Sequence, residues 1–323
     1  MPELPLVAIT RAVPGTPEVA GARIKVARDN PPLTRAELLD FVRGAAAVMS
    51  MFHDRVDAEF LNAAGPQLKG VANFAVGVDN IDLAECARRG VPVSNTPDAV
   101  TEGTANMAWG LLLAAARRIG EGDRFCRAGR FETEGNIFPT GWLGQHLTGR
   151  TLLIVGAGRI GKAVALRGLA FGMRIAYASR SRHMDFELAP LAAQRVELDA
   201  GLAAADVVSV HTPLTPHTRH IINAPRLAMM KPTAILINTS RGPTVDEAAL
   251  AAALRARRIW AAGLDVFEQE PKIHPDLLTL DNVVMTPHIG SAEIYWREQM
   301  TRMACENAAA MLAGQAPPNL VGR

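Results

Sequence analysis

The segment Thr151–Leu152–Leu153–Ile154–Val155 runs directly into Gly156–Ala157–Gly158–Arg159–Ile160–Gly161. A helical stretch, Lys162 to Phe171, and a second short apolar run follow. A GxGxxG pattern alone arises by chance, but between a strand and a helix, inside a βαβ unit, it is a strong constraint. Gly156 permits a tight turn, Gly158 lets the backbone approach a pyrophosphate, and Gly161 lets helix and strand pack closely. The helix N-terminus offers unpaired N–H groups to an anion, with Arg159 and Ile160 of the turn as cofactor-contact candidates. The segment predicts a dinucleotide site on a parallel sheet.

The rest of the chain obeys the same grammar. Short apolar runs at Leu6–Ile9, Ile24–Ala27, Ala46–Met51, Val71–Ala75 and Val91–Ser94 alternate with helical stretches. Thr34–Arg43 carries a capping box in Thr34 and Glu37, and Asp82–Arg89 stops at Gly90. After Thr148 the alternation restarts, with strand candidates at Thr151–Val155, Arg174–Ala178, Val207–His211, Ala234–Asn238, Ile259–Leu264 and Val283–Thr286. Ser291 to Ala313 reads as a final helix ending at Gly314. Such alternation predicts an α/β fold of two doubly wound, parallel-sheet, Rossmann-like domains. Between the two series, Val100–Ile119 predicts one long apolar helix and Gly120–Thr148 an extended loop. Neither suits exposure on a monomer, so a homodimer is expected.

With 323 residues the chain has room for two domains. Its 34 basic and 32 acidic side chains leave a net charge of +2, which gives no reason to expect nucleic acid or an anionic membrane as a partner. The longest apolar run, Met107–Ala116, is interrupted by Gly110 and spans only about half a bilayer. Cys86, Cys126 and Cys305 are too few and too scattered for a disulfide framework or a zinc site. The N-terminus lacks the pattern of a signal peptide, so a cytoplasmic protein is expected.

Cofactor choice is read at the end of the second strand of the glycine unit. An NAD site wants a carboxylate there for the ribose 2′-hydroxyl. This chain offers Ser179, Arg180, Ser181 and Arg182, with no acidic residue between Thr151 and Met184. Arginines attract a 2′-phosphate, which predicts NADP(H) in preference to NAD(H). The bland alternative is a solvated basic turn. Arg180, adjoining the ribose position, should matter more than Arg182.

Several motifs then occur in a fixed order: Val76–Gly77–Val78–Asp79, Asn95–Thr96–Pro97, the glycine turn, His211–Thr212–Pro213–Leu214, and Asn238–Thr239–Ser240–Arg241–Gly242. Asp265–Val266–Phe267–Glu268–Gln269–Glu270–Pro271 and Pro287–His288–Ile289–Gly290–Ser291–Ala292 complete the series. Together they resemble the D-isomer-specific 2-hydroxyacid dehydrogenase family over nearly the whole chain, and within it the NADPH-linked glyoxylate/hydroxypyruvate reductases. The resemblance implies a substrate domain of residues 1–98 plus 289–323. It implies a dinucleotide domain of residues 99–288, which includes the dimerisation helix and loop, with the active site in the cleft between the two domains.

Reducing a 2-keto acid needs a proton donor and a cation for the carboxylate. His288 suits the first, because imidazole titrates near working pH. Glu270 can pair with it and favour the imidazolium. Arg241 can grip a carboxylate with two parallel hydrogen bonds. Singly, each of the three is more often a surface or turn residue; in family order they read as catalytic. The resemblance adds a backbone cradle at Val76 and Gly77, and Asp265 bonding the nicotinamide amide. Further cofactor contacts are Thr104, His211, Thr212, Pro213, Thr218, Thr239, Ser240 and Gly290. Phe52 and Trp142 are candidates for the substrate pocket, Trp142 being either an aromatic that reaches a partner's site, as in related reductases, or a packed loop residue. Asn106 stands where the family often has Glu, which leaves the contacts of the long helix open. His53 and His274 have no assigned role.

Two alternatives stay open. One is another dehydrogenase of the family, such as a phosphoglycerate dehydrogenase. The other is a dinucleotide-sensing binding protein like the corepressors built on this fold.

Overall fold

The computed structural model describes residues 3–135 and 140–322. The chain divides into two compact units, Met1–Gly103 with Ser291–Arg323, and Thr104–Gly290.

The first unit is built on five parallel strands: β1 (Leu6–Ile9), β2 (Arg23–Val26), β3 (Ala47–Met51), β4 (Val71–Phe74) and β5 (Val93–Ser94). Their spatial order is β2-β1-β3-β4-β5, a doubly wound order. The central strands β3 and β4 are buried at every residue, as both faces of the sheet are covered. Helices α1 (Arg35–Phe41), α2 (Ala58–Ala64) and α3 (Leu83–Arg88) connect the strands. The expected capping box forms: the Thr34 hydroxyl accepts from the Glu37 N–H at 3.4 Å, and the Thr34 N–H donates to Glu37 Oε2 at 2.8 Å.

The second unit opens with α4 (Thr101–Ala116), which begins at the unit boundary. The single helix expected to reach Ile119 ends at Ala116, because Arg118 adopts a left-handed conformation (φ 56°). The segment expected as an extended loop instead contains α5 (Ile119–Arg127) and α6 (Arg130–Glu134). Glycines and charges disguised these helices. Asp123 with Arg127 and Arg130 with Glu134 pair at i,i+4, and Phe125 supplies a buried anchor. Helix α4 is buried, as its apolar composition predicts, within its own unit. Ala105, Ala108, Trp109, Leu111, Leu112, Ala115 and Ala116 are all buried in the unit's own core.

The strands β6 (Thr151–Val155), β7 (Arg174–Ala178), β8 (Gln194–Arg195), β9 (Val207–Val210), β10 (Ile235–Asn238), β11 (Ala261–Leu264) and β12 (Val283–Met285) form one parallel sheet. Its order is β12-β11-β10-β9-β6-β7-β8, so the direction of winding reverses between β6 and β9. Helices α7 (Arg159–Ala170), α8 (Met184–Glu187), α9 (Leu198–Ala204), α10 (Ala224–Met229) and α11 (Glu247–Arg255) fill the crossovers. Two apolar clusters of buried residues pack around this sheet. Helix α4 is fastened to α7 by Trp109 Nε1, which donates to the Val164 carbonyl at 3.0 Å. Asn106 joins the same contact by accepting from Arg167 at 2.8 Å, which resolves the open question about that position.

The last helix, α12 (Ile294–Leu312), returns to the first unit and packs on β3 and β4. Its Asn307 side chain donates to the Asn95 carbonyl at 3.2 Å. Among the described residues no helix is long and apolar enough to cross a membrane.

Candidate active site

In open parallel sheets, ligands bind beyond the carboxyl ends of the strands, where the winding reverses. Here that point joins the glycine turn after β6 to His211 after β9. Gly156 takes φ +104°, and a Cβ on it would lie 2.8 Å from the His211 carbonyl and 2.9 Å from the Thr212 nitrogen. A Cβ on Gly161 would meet the Gly156 oxygen at 2.5 Å, so helix and turn touch as its spacing predicts. Helix α7 follows Gly158, which as the N-cap residue supplies no side-chain cap.

Other features fit a dinucleotide. The hydroxyls of Thr212, after β9, and Thr239, after β10, are buried without a hydrogen-bond partner among the described residues. A buried polar group without a partner is costly, and a ligand amide, hydroxyl or phosphate would satisfy it. His211 Nε2 lies 2.8 Å from the Ser209 hydroxyl, and burial pushes its imidazole down to about 3, so it stays neutral. The loop after it closes on itself, with Thr218 Oγ1 donating to the Pro213 carbonyl at 2.6 Å.

The ends of β10, β11 and β12 carry the ionic chemistry. After β10, Asn238 Nδ2 donates to the Arg241 carbonyl at 3.0 Å, while its Oδ1 accepts from the Ser240 N–H and hydroxyl. Ser240 is thereby committed to shaping the Arg241 loop. After β11, Asp265 is 1% exposed. Its Oδ1 accepts from Thr286 Oγ1 at 2.5 Å and the Ile289 N–H at 2.9 Å, and its Oδ2 from the Gly290 N–H at 2.7 Å. Burial raises the Asp265 carboxyl above its ordinary value, against the pull of these donors. Both its oxygens are thus engaged in holding the His288 loop. Thr104 lies against Gly290 in the same cluster.

After β12, His288 itself adopts φ 55°, a left-handed conformation that side chains other than glycine seldom take. Its N–H donates to the Asp265 carbonyl at 2.9 Å. Its Nδ1 lies 2.7 Å from Glu270 Oε2, and Glu270 Oε1 accepts from the Phe267 N–H at 3.0 Å. Burial alone would raise the Glu270 carboxyl. The His288 hydrogen bond and charge, the Phe267 N–H and the Arg241 charge outweigh it and lower the group from its ordinary value. An imidazole, its carboxylate and a guanidinium thus act on one another at the ends of three neighbouring strands.

The expected residues of the first unit have their own setting. The carbonyls of Val76 and Gly77 are held at 2.8 Å by Asn95 Nδ2 and Asn73 Nδ2, respectively. Their own N–H groups make no hydrogen bond among the described residues, as a backbone anion cradle requires. Phe52 follows β3 and stands edge-on to His53, with ring centroids 5.1 Å apart.

Two candidates have partners within this chain that the sequence did not show. Trp142 packs within its own chain, edge-on to Phe125 and beneath Arg118. Arg182 is bound to Glu187 at 2.6 Å, so the basic turn is opposed by an acid just beyond the window searched in the sequence. Sequence reasoning also missed Asn238, Thr286 and Arg195. Asn238 lay inside a recognised motif, but only the fold shows that it grips the Arg241 loop.

Comparison with known proteins agrees with this geometry. The profile of the D-isomer specific 2-hydroxyacid dehydrogenase NAD binding domain matches residues 109–290. A glyoxylate reductase of Thermococcus onnurineus is 49% identical over 301 residues, covering 93% of this chain and 90% of that protein. A crystal structure of a Thermus thermophilus protein superposes with a TM-score of 0.90 at 44% identity, covering 98% of this chain and 99% of that one. A Sinorhizobium meliloti NADPH-dependent glyoxylate/hydroxypyruvate reductase, solved with NADP and malonate, superposes with a TM-score of 0.85 at 34% identity. The match covers 99% of this chain and 97% of that one. Fold and site define an oxidoreductase built on a nicotinamide-dinucleotide domain. The chain belongs to the D-isomer-specific 2-hydroxyacid dehydrogenase family.

Proposed function

We propose that this chain reduces small 2-keto acids, glyoxylate and hydroxypyruvate, using NADPH in preference to NADH. The observation that carries the reading is the Glu270–His288 contact of 2.7 Å, formed under the charge of Arg241 at the carboxyl ends of adjacent strands. The glyoxylate reductases among its relatives point to the same substrate class.

A bound nicotinamide would supply the hydride. Arg241 binds the substrate carboxylate and orients the carbonyl. His288, held through Nδ1 by Glu270, donates a proton from Nε2 to the carbonyl oxygen as the alkoxide develops. The glycine turn and the first turn of α7 hold the pyrophosphate, and Thr212, Thr239 and His211 line the rest of the dinucleotide site. Ser179 and Arg180 read the ribose, Arg180 being exposed and making no side-chain ion pair among the described residues.

The enzyme works in the cytoplasm as a homodimer. Its three cysteines are unpaired, as suits a reducing compartment. Ile119, Phe131 and Leu143, each at least half exposed in and after α5 and α6, offer apolar surface for a second copy.

Initial rates for a panel of keto acids with each cofactor test the reading. Glyoxylate and hydroxypyruvate should lead, with kcat/KM for NADPH about 10-fold or more above that for NADH, one decade being 1.4 kcal/mol. Equal use of both cofactors would reduce the arginines to a solvated turn. Silence with every keto acid would favour a dinucleotide-sensing binding protein.

A further inference from the structure

The turn after β7 is held from three sides. Tyr177 donates through its hydroxyl to Glu187 Oε1 at 2.7 Å, and the same hydroxyl accepts from the His183 N–H at 3.0 Å. Arg182 folds onto Glu187. On the other flank, Arg195 of the neighbouring strand β8 donates from one Nη2 to the carbonyls of both Ser179 and Arg180, at 3.1 Å each. The guanidinium of Arg195 therefore touches the backbone of the two residues expected to face the ribose. Arg182 pairs with Glu187 at 2.6 Å, whereas Arg195 forms no ion pair within 4 Å with a carboxylate among the described residues, although its charge also acts on Glu187.

We propose that Arg195, and not Arg182, is the second cation that, with Arg180, discriminates a phosphate on the adenosine 2′-oxygen. The proposal rests on the NADPH reading above and replaces one of its residues. Two consequences follow from the geometry. A 2′-phosphate meets a turn whose backbone is already fixed, so little ordering is needed on binding. And Arg182, neutralised by Glu187, adds little to the attraction.

The test is equilibrium binding of 2′,5′-ADP and 5′-AMP to the cofactor-free enzyme by calorimetry, which needs no turnover. The wild-type protein should bind 2′,5′-ADP about 10-fold or more tightly than 5′-AMP, the scale of one charge-assisted contact. Arg195→Met should remove most of that ratio and leave 5′-AMP within about twofold, whereas Arg182→Met should leave both ligands within about twofold. A wild-type ratio near one overturns the NADPH reading and this proposal together. A high wild-type ratio that survives Arg195→Met overturns the proposal alone. Equal weakening of both ligands by Arg195→Met also overturns it, since Arg195 would then only prop the turn.

Discussion

At the scale of single residues, the site divides into groups that do chemistry and groups that hold them. His288→Ala should bind NADPH almost as the wild type does, yet turn over about 10²-fold or more slowly, the usual loss for a general acid. Titration with NADPH and steady-state kcat separate the two effects. Arg241→Ala should raise KM for the keto acid steeply and lower kcat as well, since the guanidinium both binds and orients. Glu270→Gln keeps the shape but replaces the carboxylate that His288 Nδ1 meets, so kcat should fall by about 10²-fold with NADPH affinity unchanged. Arg241, Glu270 and His288 could be singled out as candidates because each stands in a motif in family order. Asp265 could be singled out in the same way, but the engagement of both its oxygens with the His288 loop could not be read. That arrangement depends on how far β12 runs beside β11, which spacing along the chain does not state. Thr286 and Arg195 escaped for the same reason, since each acts on a neighbouring strand.

Among the elements, α1 gives a direct test of local sequence signals. Thr34→Ala should cost about 1 kcal/mol of stability, measured by urea unfolding, because it deletes the hydroxyl that accepts from the first turn. Glu37 adds a pH dependence of known sign. Its carboxyl is lowered from the ordinary value to about 2, first by the Thr34 N–H and then by Arg28. A lowered carboxylate stabilises the fold above its unfolded pKa and loses that contribution as pH falls toward the folded value. Glu37→Gln should therefore flatten the decline in stability between about pH 4.5 and pH 2. The loop of Arg241 depends on Gly242, where a Cβ would collide with the Phe267 carbonyl group. Gly242→Ala must push apart the segments bearing Arg241 and Glu270, so kcat/KM should fall by about 10²-fold while far-ultraviolet dichroism persists. Strand–helix alternation and the capping box could be read from sequence because they are local. The helices α5 and α6 could not, since their stability comes from ion pairs and the buried Phe125 rather than from an apolar stripe.

For the molecule as a whole, two sheets of the expected parallel kind confirm the fold class, and strand order was the part the sequence withheld. The β2-β1-β3-β4-β5 and β12-β11-β10-β9-β6-β7-β8 orders follow from which apolar edges meet, not from chain order. The expected dimer stands on a narrower motive than the sequence offered, because much of α4 is buried in its own unit and the exposed apolar side chains of the described residues after it include Ile119, Phe131 and Leu143. Light scattering at micromolar concentration should return twice the chain mass, and Leu143→Asp should shift the distribution toward monomer. A wild-type monomer would exclude the dimer. The account as a whole stands on glyoxylate-dependent oxidation of NADPH, followed by nicotinamide absorbance in the wild type and in His288→Ala at matched cofactor saturation. It predicts steady turnover in the first and a rate lower by about 10²-fold or more in the second. A wild-type enzyme that leaves NADPH untouched, or a His288→Ala variant that keeps the wild-type rate, would contradict it.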